Sequence, residues 1–329
     1  MAVFPSKARP ALMRAAARAG DDYGVTAKPS WREVNWREHL RSMDIDGGSV
    51  NYVDFGPRSG SGDAPPPVLF VHGLGGCWQN WLENIPRVAQ ERRVLAPDLP
   101  GFGSSEMPLD RISIPGYGRF LEKFCGRLGL DQVVVVGNSM GGFVGAELAI
   151  QQPARVERLV LVSAAGLSIT NIRRRPVQTW GRATAAVGAY GAAHLRPMIV
   201  RPRLRHAALG YVVRHPTRLC ADLAWEIMSG AGRPGFLDGL NALLDYDFRD
   251  RLGDIRAPTF IVWGQDDMLV PVEDATEFER LIPNSRKVIF EDTGHVPMLE
   301  RPETFNSLLM EFLAEEWPAS QSESAEAAA

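Results

Sequence analysis

The sequence predicts a doubly wound α/β protein: a mostly parallel sheet of eight strands, helices on both faces, and a helical segment inserted late in the chain. Three observations lead there. Six short runs are apolar almost without interruption: Val68–Val71, Val94–Ala96, Val133–Val136, Leu159–Val162, Phe260–Trp263 and Lys287–Phe290. Such runs mark strands buried on both faces, as in a parallel sheet. Helix-compatible stretches separate most of them, at Trp81–Ala89, Gly116–Leu128, Gly141–Gln151 and Glu273–Leu281, with Glu303–Glu316 closing the chain. Between Val162 and Phe260 the rhythm breaks, and Ala-, Leu- and Arg-rich segments divided by prolines replace it.

Residues 1–40 read as an extension. Lys7, Arg9, Arg14 and Arg18 sit among alanines without the apolar stretch of a secretory signal. An Arg/Ala-rich, acid-poor start also mimics an organelle transit peptide; the simpler reading is a floppy segment that packs on the surface. Ser42–Asp46 and Val50–Phe55 alternate around Gly47-Gly48 and read as a β-hairpin, which brings the strands to eight. Gly56–Pro67 is a surface loop rich in Gly, Pro and Ser. The strand–helix succession occupies residues 41–166, breaks over 167–247 and resumes over 248–317. The break is too long for a structureless loop in a compact protein. Divided by Pro176, Pro197, Pro202, Pro216 and Pro234, it reads as a helical subdomain inserted after the sixth strand. Residues 318–329, rich in Ser, Glu and Ala, read as a disordered tail.

A chain of 329 residues suffices for one large catalytic domain with an inserted subdomain. A net charge of −3 gives no reason to expect nucleic acid as a partner. No apolar run approaches the roughly 18–20 residues that span a bilayer, so no integral membrane association is expected. Cys77, Cys125 and Cys220 are an odd number at wide spacing, which suits neither a disulfide framework nor a zinc site. Buried or half-buried thiols in a reducing cytoplasm are expected, with no metal and no cofactor. The expected partner is a small-molecule substrate, and the chain is expected to be a monomer or a homodimer.

The chemistry concentrates at strand ends. Gly137-Asn138-Ser139-Met140-Gly141-Gly142 follows the apolar run Val133–Val136 and precedes a helical stretch. In a strand–turn–helix setting, glycines flanking a serine permit a sharp turn that lifts the hydroxyl clear of the sheet, as a nucleophile. The helix that starts there turns its amides toward developing negative charge. A serine needs a base. Of the six histidines, His295 lies in a loop after the last strand, where a parallel sheet builds its site. His72 ends a strand, where its usual job is to hold a loop by hydrogen bonds. His194, His206 and His215 fall in the arginine-rich insertion, and His39 precedes the hairpin. The imidazole needs a carboxylate to fix its tautomer. The loop after Phe260–Trp263 offers Asp266 and Asp267, and composition does not choose between them. An oxyanion hole needs two backbone N–H donors. Met140, after the serine, supplies one, and Leu74 in His72-Gly73-Leu74-Gly75-Gly76 the other.

These motifs resemble the α/β-hydrolase superfamily. The likeness runs in order from Met43 to Leu313 through the His72-Gly73 loop, Asp98-Leu99-Pro100-Gly101-Phe102-Gly103-Ser104-Ser105, the turn at Ser139, Gly264-Gln265-Asp266-Asp267 and Gly294-His295. The resemblance implies a Ser, Asp, His triad in the family's chain order. It places the acid three residues after the strand-end glycine, at Asp267, and makes residues 167–247 a cap over the active site. The Ser139 turn looks most like those of carboxylesterases and of carbon–carbon bond hydrolases acting on meta-cleavage products. The latter carry a longer glycine-rich loop with a proline, which His72–Gly76 lacks. A serine in place of an aspartate sets the chain apart from epoxide hydrolases and haloalkane dehalogenases.

The expected activity is therefore hydrolysis of an ester with a small or medium apolar acyl group. A carbon–carbon bond hydrolase with the same triad is the alternative, and a non-catalytic ligand sensor on this fold a third reading. The segment 167–247 carries eleven arginines, no lysine and five carboxylates, a net charge of +6. That charge either solvates helices or attracts an anion.

Overall fold

The computed structural model describes residues 22–24, 28, 30–57, 65–168 and 199–316. Arg173-Arg174-Arg175, His194 and the tail 318–329 lie outside the described residues. The sheet comprises β1 (Leu40–Ile45), β2 (Gly48–Phe55), β3 (Val68–Val71), β4 (Val94–Pro97), β5 (Val133–Asn138), β6 (Val156–Val162), β7 (Thr259–Gly264) and β8 (Ser285–Phe290). Their spatial order is β1-β2-β4-β3-β5-β6-β7-β8. β2 runs antiparallel to β1 and β4, and every pairing from β4 to β8 is parallel. The helices of eight residues or more among the described residues are α1 (Ile114–Arg127), α2 (Met140–Gln151), α3 (Pro202–Leu209), α4 (Ala221–Met228), α5 (Phe236–Asp245), α6 (Glu273–Leu281) and α7 (Pro302–Ala314).

The apolar runs become central strands because successive side chains point to opposite faces and both faces are covered. Leu69, Val71, Val133, Val135, Leu159, Leu161, Ile261 and Trp263 pack with α1, α2 and α6 on one face. Val68, Phe70, Val134, Val136, Val160, Val162, Phe260 and Val262 pack with α7 and the single turn Ile85–Val88 on the other. Each such side chain contributes about 1.5–3 kcal/mol through burial. The register, with Leu69 opposite Val135 and Val135 opposite Leu159, keeps each set on its own face.

Two local readings are corrected. The hairpin turns at Asp46-Gly47, one residue before the expected Gly47-Gly48. Both turn residues have positive φ, 55° and 80°, as a two-residue turn matched to strand twist requires, and Ile45 pairs with Gly48. The helix expected over Trp81–Ala89 is a 3-10 turn, Trp78–Trp81, followed by Ile85–Val88. Pro86 lacks an N–H, so a helix can begin beside it but not run through it.

The segment between β6 and β7 is helical in its described part (α3, α4 and α5) and shows no strand there. Leu209, Val213, Leu223 and Ile227 join one core, while Ala242 and Leu243 join the other. No helix among the described residues is long and apolar enough to cross a membrane.

Candidate active site

Ser139 stands between β5 and α2 with φ 56° and ψ −119°, a conformation that costs an L-residue about 1–3 kcal/mol. Its surroundings hold it there. The Ser139 N–H donates to the Val162 carbonyl at 3.0 Å, and its own carbonyl accepts from Gly142, Phe143 and Ala165 at 3.0–3.2 Å. The flanking glycines are required by space. A Cβ on Gly137 would collide with the Gly141 carbonyl, and one on Gly141 with the carbonyls of Val71 and His72. The serine itself remains half-buried rather than sealed in the core.

His295, after β8, places Nδ1 2.7 Å from Oδ2 of Asp267, after β7. Both side chains are buried, 5% and 0% exposed. The other Asp267 oxygen, Oδ1, accepts from the N–H groups of Leu269 and Val270 at 2.8 and 3.0 Å. The turn's own amides thus orient the carboxylate, and a proton on Nδ1 leaves Nε2 as the imidazole's acceptor. Asp266 points elsewhere: its side chain is 36% exposed and lies 3.6 Å from Arg214 Nε. Asn138 links the two loops, donating from Nδ2 to the carbonyls of Val162 and His295 at 3.1 and 3.2 Å.

The loop after β3 lies against the serine, since a Cβ on Gly73 would sit 3.1 Å from Ser139 Cβ. Buried His72 organises this loop. Its Nε2 accepts from the Leu99 N–H at 2.9 Å, so Nδ1 carries the proton and donates to the Gly73 carbonyl at 2.8 Å. Burial holds its pKa below the ordinary histidine value and keeps the ring neutral. The Gly76 N–H also donates to Gly73, at 3.0 Å. Across a trans peptide the Leu74 N–H must point away from that carbonyl. Among the described residues, neither the Leu74 nor the Met140 amide donates to any acceptor. Helix α5 roofs both residues: a Cβ on Gly239 would lie 2.8 Å from Leu74 Cδ1 and 3.6 Å from Met140 Sδ. The neighbouring Cys77 thiol offers no competing nucleophile, because burial pushes its pKa up to about 12.

A model of the alpha/beta hydrolase family matches residues 68–308. The chain belongs to that family. It is 32% identical over 250 residues to the "Putative carbamate hydrolase RutD" of Shigella flexneri, a match covering 76% of this chain and 91% of the relative. Among solved structures, it is similar to an enol-lactonase from Burkholderia xenovorans LB400, with a TM-score of 0.69 and 22% identity over 84% of this chain and 100% of that one. A mutant of the meta-cleavage product hydrolase CumD matches with a TM-score of 0.66 and 24% identity, covering 85% of this chain and 100% of that one.

Ser139 and Met140, Leu74, Asp267 and His295 follow the carboxyl ends of β5, β3, β7 and β8, and apart from His72, which holds the Leu74 loop, the described histidines have other neighbours. His39 packs against Phe55, His206 is exposed, and His215 Nε2 lies 2.8 Å from Asp292 Oδ1. Several arginines of the insertion have structural partners. Arg205 donates to the carbonyls of Ile199, Pro216 and Thr217, and Arg214 lies between Asp266 and Asp292. Sequence reasoning missed Glu300. This fully buried carboxylate accepts from the N–H groups of Gly294 and Val296, the two neighbours of His295. Its only local signal is an acid placed directly after the apolar stretch Val296-Pro297-Met298-Leu299.

Proposed function

We propose that this family member hydrolyses carboxylic esters with small to medium apolar acyl groups through Ser139, His295 and Asp267, by way of an acyl-enzyme. The observation that carries the reading is the 2.7 Å contact between buried His295 and buried Asp267, beyond the carboxyl ends of β8 and β7, with Ser139 held at a positive φ beyond the carboxyl end of β5. In this mechanism Nε2 of His295 takes the hydroxyl proton as Ser139 Oγ attacks the ester carbonyl. The amides of Leu74 and Met140 receive the negative charge on the tetrahedral oxygen, each donor of this kind being worth roughly 10²–10³ in rate. The imidazolium, steadied by Asp267, protonates the departing alcohol. A water activated by the same imidazole then releases the acid. Leu74, Met140 and Phe102 beneath Gly239 make the surroundings apolar, which suits an apolar acyl group.

The relatives favour a second reading, cleavage of a carbamate, whose carbonyl could meet the same serine and amides. The carbon–carbon alternative and the ligand sensor gain no comparable support.

The test is a panel of p-nitrophenyl esters of increasing acyl length, an aryl carbamate and a 2-hydroxy-6-oxo-dienoate, assayed with wild type and Ser139→Ala. Ester turnover of about 1–10³ per second is expected, falling by roughly 10³–10⁶ in the variant. A fluorophosphonate should label wild type alone. Labelling or turnover that persists in Ser139→Ala defeats the proposal, and preference for the carbamate replaces the first reading with the second.

A further inference from the structure

The histidine loop is held by more than the sheet. Glu300 closes the short helix Pro297–Glu300 and is 0% exposed. Its Oε1 accepts from Gly294 N–H at 2.9 Å and Val296 N–H at 3.3 Å. Its Oε2 accepts from Arg214 N–H at 2.9 Å and from the hydroxyl of Tyr23. No lysine, arginine or histidine side chain pairs with it among the described residues. The carboxylate therefore depends on neutral donors, and burial raises its pKa. The Gly294 N–H reaches Oε2 as well, at 3.1 Å, and each donor removed takes from a buried charge one of the few hydrogen bonds that offset its burial.

Tyr23 is the only one of these donors that is a side chain. It comes from the far end of the chain, 277 residues from Glu300. The phenol is 3% exposed, and burial followed by the Glu300 charge raises its pKa, so it remains a donor. Its oxygen also accepts from the His215 N–H at 2.8 Å. The segment around it is tied down independently. Asp22 pairs with Arg301 at 2.7 Å and receives the Thr304 hydroxyl, the Gly24 N–H donates to the Glu300 carbonyl at 2.7 Å, and the Arg218 guanidinium lies 4.8 Å above the Tyr23 ring. The docked residues thus meet the insertion, through His215 and Arg218, and the histidine loop, through Glu300.

We infer that Tyr23 and Glu300 act as a positioning pair that holds residues 294–296, and so the His295 imidazole, making residues 22–24 part of the working active site. The pair touches no reacting atom. It acts through His295 and rests on the reading of His295 as general base.

The test uses the full-length chain as wild type, Tyr23→Phe, Glu300→Gln and the double variant, assayed on one p-nitrophenyl ester. Active sites are counted by exhaustive fluorophosphonate labelling. A merely structural role lowers the number of labelled sites and leaves kcat per site unchanged. A positioning role lowers kcat per site with KM within about twofold. Misplacement of a catalytic group by an ångström costs up to about 10²-fold, so about tenfold is expected for Tyr23→Phe, which keeps the ring, and about 10²-fold for Glu300→Gln. The double variant should be no slower than Glu300→Gln, because the two residues act as one unit. Wild-type kcat per site in Tyr23→Phe, or losses that simply multiply in the double variant, overturns the pair. Tyr23→Phe decides the matter alone if Glu300→Gln does not fold. His295→Ala separates the two levels: hydrolysis that survives it removes the base assignment and the pair together, whereas a dead His295→Ala beside a fully active Tyr23→Phe removes the pair only.

Discussion

The backbone N–H of His295 donates to the carbonyl of Val212 at 2.8 Å. The imidazole loop is therefore stitched to the helical insertion by the very residue whose ring faces Asp267. On its other side, the carbonyl of His295 is held by Asn138, next to Ser139. One residue's backbone thus joins the insertion, at Val212, and the serine turn, at Asn138, and displacement of either should be felt at the ring.

Asp267→Asn should lower kcat by roughly 10²–10⁴, because an amide cannot stabilise the imidazolium and invites the wrong tautomer. Asp266→Asn should cost less than threefold, since its partly exposed side chain faces Arg214 rather than the ring. Steady-state kinetics of both on one ester decide the matter. A dead Asp266 variant beside an active Asp267 variant refutes the assignment.

Gly239→Ala separates the roof's packing from its stability. Alanine gains up to about 1 kcal/mol of helix propensity over glycine, but its methyl group would lie 2.8 Å from Leu74 Cδ1 and 3.0 Å from Phe102 Cζ. The Leu74 side chain can swing aside, so the melting temperature should stay within a few degrees. That shift intrudes on the acyl space, and kcat/KM should fall several-fold more for a butyrate or hexanoate ester than for an acetate. An unchanged preference for acyl length means that α5 does not border the acyl group.

His72 should make stability pH-dependent. Burial holds its folded pKa below the ordinary 6.5, so below pH 6.5 the unfolded chain takes up a proton that the native state refuses. The unfolded state then binds more protons, and stability falls as pH drops from 6.5 toward the folded pKa, by at most about 1.4 kcal/mol per pH unit. His72→Asn removes that contribution. Urea unfolding at pH 7.5, 6.5 and 5.5 should show a shallower acid-side decline in the variant. Equal declines would mean that His72 is not kept neutral by the fold.

Much of this was legible in the chain because its cause is local. A strand buried on both faces admits one kind of composition, and Val68–Val71, Val133–Val136 and Phe260–Trp263 could hardly be anything else. The glycines around Ser139 announce a turn in which a side chain at Gly137 or Gly141 would strike backbone. The apolar pattern of Trp81–Ala89 imitates a continuous helix that the missing N–H of Pro86 forbids. Other matters depend on partners distant in sequence. Asp266 and Asp267 are chemically identical neighbours, and it is the fold of residues 264–270, with the amides of Leu269 and Val270, that turns Asp267 toward His295. Glu300 reads as an ordinary helical acid until Gly294, Val296, Arg214 and Tyr23 close around it. Periodicity and turn chemistry are written along the chain; which buried polar groups satisfy one another is settled only when distant segments meet.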